Sequence, residues 1–182
     1  MFPIFMLCAM LFQLGSQTGP KPVISNDRVV VWDSDPATVQ PLDAVEVSLS
    51  GDAVFVPKGT SPKTAGRSIV IDLKDHPVAP IENTSGYPPA FPRPGAKKLL
   101  ENERVIVWDY TWELGVATPM HFHDKDVVVV FLEDGDLKST TPDGQDTVTA
   151  YTSGTARFNT RNRTHSETLV RGKQRAIITE LK

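Results

Sequence analysis

Short runs of apolar residues, broken every few positions by turn signals, set the character of this chain. The second half reads as consecutive strands at residues 104–112, 118–123, 127–132, 136–141, 147–151, 156–159, 165–170 and 176–181. Turns separate them at Gly115, at Asp134-Gly135, at Asp143-Gly144, at Ser153-Gly154 and at Arg161-Asn162-Arg163. Nowhere does a 3.6-residue period persist, so the pattern predicts an all-β chain, a sandwich or a jelly-roll barrel.

Two of these strands carry histidine. His121 and His123 stand two apart, so on a strand both side chains leave the same face. His165 follows in a later strand, and the fourth histidine, His76, lies in Asp75-His76-Pro77, which reads as surface. An isolated pair would be read as core or solvent-facing histidines. Together the three make a candidate metal site within a barrel. Imidazole nitrogen suits Fe, Zn, Mn, Ni and Cu, and three such ligands leave coordination positions open for water, substrate or dioxygen.

The first half repeats the second in abbreviated form. Residues 26–33 (NDRVVVWD) recur as 102–109 (NERVIVWD). Residues 42–45 (LDAV) match 145–148 (QDTV), 50–55 (SGDAVF) match 153–158 (SGTARF), and 67–74 (RSIVIDLK) match 175–182 (RAIITELK). The matches keep one order, which marks a duplication whose first copy lacks the stretch holding His121 and His123. Between the copies, Pro77, Pro80, Pro88, Pro89, Pro92 and Pro94 predict an extended linker or strap, with Tyr87 and Phe91 to tack it to a barrel. Residues 96–101 (AKKLLE) make either one helical turn or the lead into the first strand of the second copy.

Gly115, five residues, His121, Phe122, His123 and then Gly135 resemble the first motif of the cupin superfamily. Gly154, five residues, Thr160, Arg161, Asn162, two residues and His165 resemble its second motif. The first copy keeps the turn residues of that second motif (Gly51, Pro57, Lys58, Gly59) and has Pro62 where the histidine would stand. The resemblance covers residues 26–74 and 102–182. It implies an RmlC-like cupin jelly-roll barrel, bicupin-like with a degenerate first copy. It also implies His121, His123 and His165 as ligands of a divalent transition metal. Cupins add a glutamate ligand from the first motif; counted back from Gly135 that position is Val128, an apolar residue. The resulting three-histidine set is similar to that of cupin thiol dioxygenases. Asp126, two residues before Val128, is placed to reach a metal directly or through water. At the second motif, Asn162 can take the left-handed conformation of the family's glycine.

Trp108, Tyr110 and Trp112 share one strand face and read as barrel or interface core, because Trp32 stands at the repeat position of Trp108. Arg157 and Arg161 read as solvated surface, with pairing to an anionic substrate the alternative. Acids and bases are interspersed with a net charge of −3, and no basic stripe appears, so nucleic acid is excluded as a partner.

Residues 1–14 are almost wholly apolar and too short to span a bilayer, so residues 1–18 read as a signal peptide, although no Lys or Arg precedes the run. A misplaced start or an apolar arm packed on the barrel are the alternatives. The only cysteine, Cys8, lies in this run, so a cleaved chain has no thiol chemistry.

The sequence therefore predicts a signal peptide at residues 1–18, then a shortened β unit without metal ligands at 23–75. A Pro-rich linker at 76–98 and a metal-binding cupin barrel at 99–182 complete the chain. The two units are expected to share a sheet surface, or the chain to form a homodimer. Two function classes stand open. One is a metalloenzyme, dioxygenase, isomerase or hydrolase, on a small anionic compound. The other is a non-catalytic metal- or ligand-binding protein, secreted or periplasmic, or cytoplasmic if the leader is retained.

Overall fold

The structure is a computed structural model that describes residues 21–34, 40–61 and 66–182. The apolar leader with Cys8, and Pro62, lie outside the described residues. Within them the chain forms fourteen strands and no helix. The first unit holds β1 (Ile24–Ser25), β2 (Val29–Ser34), β3 (Ala44–Ser48), β4 (Ala53–Val56) and β5 (Ser68–Leu73). The second holds β6 (Lys97–Glu101), β7 (Val105–Trp112), β8 (His121–His123), β9 (Asp126–Phe131) and β10 (Gly135–Thr140). It ends with β11 (Asp146–Tyr151), β12 (Ala156–Asn159), β13 (Arg163–Gly172) and β14 (Gln174–Leu181). Residues 97 and 98 belong to β6, so the 96–101 segment is a strand and not a helical turn.

The strands make three sheets: β1-β2-β5-β3-β4, β11-β10-β13-β8 and β12-β9-β14-β7-β6. The second and third face each other and enclose a core built from Trp108, Tyr110, Val127, Val129, Phe131, Leu137, Leu169 and Ile178. This is a jelly-roll barrel. Strand alternation decides which residues face it. On β9, Val127, Val129 and Phe131 belong to the barrel core, whereas Val128 and Val130 belong to a second apolar layer on the outer face.

That outer layer joins the two units. Val105, Val107, Val128, Val130, Ile177 and Leu181 of the barrel pack on Val29, Val31, Val45, Val47, Ile69, Ile71 and Leu73 of the first sheet. All are at most 4% exposed, and burying each such side chain is worth roughly 1.5–3 kcal/mol. The sheets stack face to face. No strand of the first pairs with a strand of the third, so the expected shared sheet surface is a stacked interface and not one continuous sheet. Stacking is what the alternation demands, since the apolar side chains project from the faces and not from the edges.

The first and third sheets have the same strand order, with β1, β2, β5, β3 and β4 in the places of β6, β7, β14, β9 and β12. Paired side chains follow. The Trp32 indole N–H donates to Asp72 at 2.7 Å as that of Trp108 does to Glu180 at 2.8 Å. Arg67 clasps Asp33 with two nitrogens, as Arg175 clasps Asp109. Across the interface Arg28 bonds Asp126 and the Lys182 carbonyl, while Arg104 bonds Asp43 and the Lys74 carbonyl. The sequence match of 42–45 with 145–148 is corrected here. β3 takes the place of β9, not of β11, because hydrogen-bonded neighbours decide equivalence where short Val/Thr runs look alike. Among the described residues the first unit has no counterpart of β8, β10, β11 or β13, the sheet that carries all three candidate ligands.

The proline-rich strap runs along the edge strand β8. Phe122 donates its N–H to the Pro88 carbonyl, and Ala90 and Ile81 donate to the carbonyls of Phe122 and Asp124. The strap thus caps a sheet edge that would otherwise expose unpaired backbone. Phe91 stacks on Trp108 with ring centroids 5.0 Å apart.

The Arg28–Asp126 pair is a test of the interface. Its contact is 2.6 Å and both side chains are at most 10% exposed. Asp126→Ala leaves Arg28 buried without its partner, and we expect a loss of about 3–5 kcal/mol in urea unfolding. Metal content should not change, since Asp126 faces away from the histidines.

Candidate metal centre

β8 and β13 run antiparallel with Arg163 opposite His123 and His165 opposite His121. The i, i+2 spacing turns His121 and His123 inward, and cross-strand pairing brings His165 to them. One nitrogen from each ring lies within 4.8 Å of the others. His123 Nε2 and His165 Nε2 are 3.2 Å apart. An ion about 2.1 Å from each nitrogen needs separations of roughly 3.0–3.4 Å, so this pair already fits and the third must close inward.

Tautomers follow from the partners. His121 Nδ1 lies 2.8 Å from the Pro119 carbonyl, so it carries the proton and donates, leaving the Nε2 lone pair facing the interior. His165 Nδ1 lies 3.3 Å from Ser139 Oγ. Among the described residues His123 Nδ1 is buried with no hydrogen-bond partner. Burial is the main force on all three rings, lowering His121 to about 4, His123 well below its usual value and His165 below its own. Arg93 adds to the lowering at His121, and Arg163 does so at His123. Neutral imidazoles converging on one point are a donor set that fits a divalent transition metal.

Two sequence expectations change. Val128 is 0% exposed in the outer interface layer, so it does not face the histidines. The inward residue at that level is Val127, which lines the cavity. The site still lacks an acidic side chain there, but the vacancy falls one residue earlier. Asp126 also points outward, to Arg28 and to the Arg161 backbone N–H at 2.8 Å, and takes no part in the site. Counting back from Gly135 missed this because strand parity, not motif length, sets the face. Arg157 is exposed beside Tyr151, and the Arg161 guanidinium donates to the Ala79 carbonyl. Neither lines the cavity at the histidines.

Three charged residues escaped the sequence reading. Arg93, from the strap, places Nη1 3.3 Å from His121 Nε2 and Nη2 3.5 Å from Glu167, over the Tyr110 ring at 3.9 Å. Glu167 also accepts from the Trp112 indole N–H at 3.2 Å and lies 4.0 Å from His165 Nε2. Burial pushes the Glu167 carboxyl up, but His165, Arg93, His121 and Trp112 together outweigh it, so its net shift is downward. Arg163 lines the same cavity and donates Nε–H to the Thr160 carbonyl at 2.5 Å. Arg163 and Glu167 were legible, as each stands two residues from His165 on one strand. Arg93 gave no signal, since nothing in a proline-rich segment tells which residue turns inward.

The cavity beside the histidines measures about 150 Å³. Its walls are Phe91, Trp112, Val127, Val129, Phe131 and Ile178, with Ser139, Thr149, Tyr151 and Asn159 as neutral polar groups. Asn162 has φ of 62°, the left-handed backbone expected in place of glycine. The barrel is a jelly roll, and its glycine and histidine positions resemble those of the cupins.

No family model and no curated protein matches the chain. Solved structures do. A cupin domain from Bordetella pertussis Tohama I is 28% identical over 50% of this chain and 97% of its own, with a TM-score of 0.44. A cupin 2 conserved barrel domain protein from Leptotrichia buccalis is 12% identical over 90% of this chain and 88% of its own, with a TM-score of 0.48. The polyketide cyclase RemF from Streptomyces resistomycificus is 23% identical over 56% and 77%, with a TM-score of 0.39.

The buried histidines make the barrel acid-sensitive. Their folded pKa values lie below the unfolded value near 6.5. Between those limits the unfolded chain binds more protons, so stability falls as pH drops from about 6.5 toward 4. Each histidine adds a slope of up to about 1.4 kcal/mol per pH unit within its own window. Urea unfolding of metal-free protein across this range should show the fall, and His165→Gln should make it shallower.

Proposed function

We propose that the cupin barrel binds one divalent transition metal through His121, His123 and His165 and uses it to act on a small anionic compound held in the adjoining cavity. The observation that carries this reading is the meeting of three neutral imidazoles, two of which, His123 and His165, line a cavity of about 150 Å³. A bound ion would supply Lewis acidity and open coordination positions, and iron would add dioxygen chemistry. The chain's own groups do the rest. Phe91, Trp112 and Val129 exclude water and raise the strength of every charge interaction inside. Glu167, 4.0 Å from His165 Nε2, is placed to accept or return a proton at the cavity wall. Arg93 holds that carboxylate and neutralises it. Fe, Zn, Mn, Ni and Cu all suit the donor set.

A second reading has its own support. Arg93 already donates to His121 Nε2, which lets the cavity serve as a non-catalytic ligand site without metal. We also propose export of the chain, secreted or periplasmic, which the apolar leader supports.

Metal analysis of protein purified without added metal tests the main reading. We expect close to one equivalent in the parent and almost none in His121→Ala/His165→Ala, with near-ultraviolet circular dichroism confirming the fold of both. Equal content in the two sinks the metal site. Oxygen uptake by iron-loaded protein with small thiols and diketones then tests the dioxygenase branch, and a flat response favours the binding reading.

A further inference from the structure

We infer that Arg163 anchors the carboxylate of a small monocarboxylic acid whose hydrocarbon body fills the barrel cavity. This deepens the small-molecule half of the function proposed above and does not depend on the metal. Three fully charged side chains line the cavity: Arg93, Arg163 and Glu167. Arg93 is already engaged by Glu167 and His121, and its guanidinium sits over the Tyr110 ring. Arg163 is different. Its Nε–H is held by the Thr160 carbonyl, which fixes the side chain, and among the described residues its guanidinium forms no ion pair.

The charges settle the ligand class. In the metal-free protein two guanidinium groups against one carboxylate leave the cavity with a net charge of about +1 when the histidines are neutral, and one anionic group balances it. A fixed guanidinium with free N–H groups matches a carboxylate in two parallel hydrogen bonds. Size limits the remainder. A cavity of about 150 Å³ takes a body about as large as benzene. Val127, Val129, Phe131 and Ile178 give that body an apolar wall. Ser139 and Asn159 offer hydrogen bonds to a single further oxygen. In the metal-free cavity a dianion or a sugar phosphate has one charge too many.

The test is isothermal titration of the full-length, metal-free protein with butyrate and benzoate, each beside its neutral amide. We expect the carboxylates to bind about 10- to 100-fold more tightly than the amides. Arg163→Met should abolish that ratio. Arg163→Lys, which keeps the charge but loses the fork, should retain only part of it. The ratio is internal to each variant, so a general loss of stability leaves it readable. Equal binding of acids and amides by the parent, no binding of either, or an undiminished ratio in Arg163→Met overturns the inference. Failure here with metal still bound leaves the metal site standing. A ratio that depends on Arg163 in a protein that takes up no metal leaves the inference standing without it.

Discussion

The barrel's five-stranded sheet is apolar on both faces, and that constraint shapes the whole chain. One face closes on the second sheet and makes the barrel interior. The other presents Val105, Val107, Val128, Val130, Ile177 and Leu181, which water would penalise heavily if left bare. The first unit answers this need. It supplies a sheet of the same strand order and lays its own Val and Ile residues on the layer. Arg28 and Arg104, each gripping the opposite unit, border this apolar layer with charge pairs that fix the stacking.

Because that layer claims Val128 and Asp126, the inward positions of β9 fall to Val127 and Val129. The same parity sends His121 and His123 inward and Phe122 out to the strap. The site is therefore made of β8 and β13 alone, with no acidic side chain from β9. Its negative charge arrives from another place, Glu167 on β13. The strap then adds a cation, Arg93, beside the ligand face of His121. The strap caps the edge of β8 and also carries a cavity-lining side chain, so two needs of the fold are met by one segment.

Much of this could be read from the residues. The strands of the second unit fall within two or three residues of their expected bounds, since each is a run of alternating residues ended by a turn signal. The three histidines meet because an i, i+2 pair and a histidine on an antiparallel neighbour have few other places to go. Asn162 could be assigned to a left-handed turn because its short polar side chain tolerates one. The assignments of Val128 and Asp126 went astray for one reason. A shift of one residue moves a side chain to the other face, and motif spacing does not fix strand register to that accuracy. Arg93 was beyond reach, because an irregular segment has no period from which to read a direction.

The sequence by itself determined the all-β class, the turns, the histidine trio and the repeated Arg, Trp and Asp positions of the two units, because these depend on local conformation and composition. Only the tertiary structure decided that the units stack face to face, that β3 takes the place of β9, and that Asp126 serves the interface. It alone put Arg93, Arg163 and Glu167 around one cavity. Those facts depend on which strand neighbours which and on which face each residue leaves, and such choices are settled by burying two apolar layers at once.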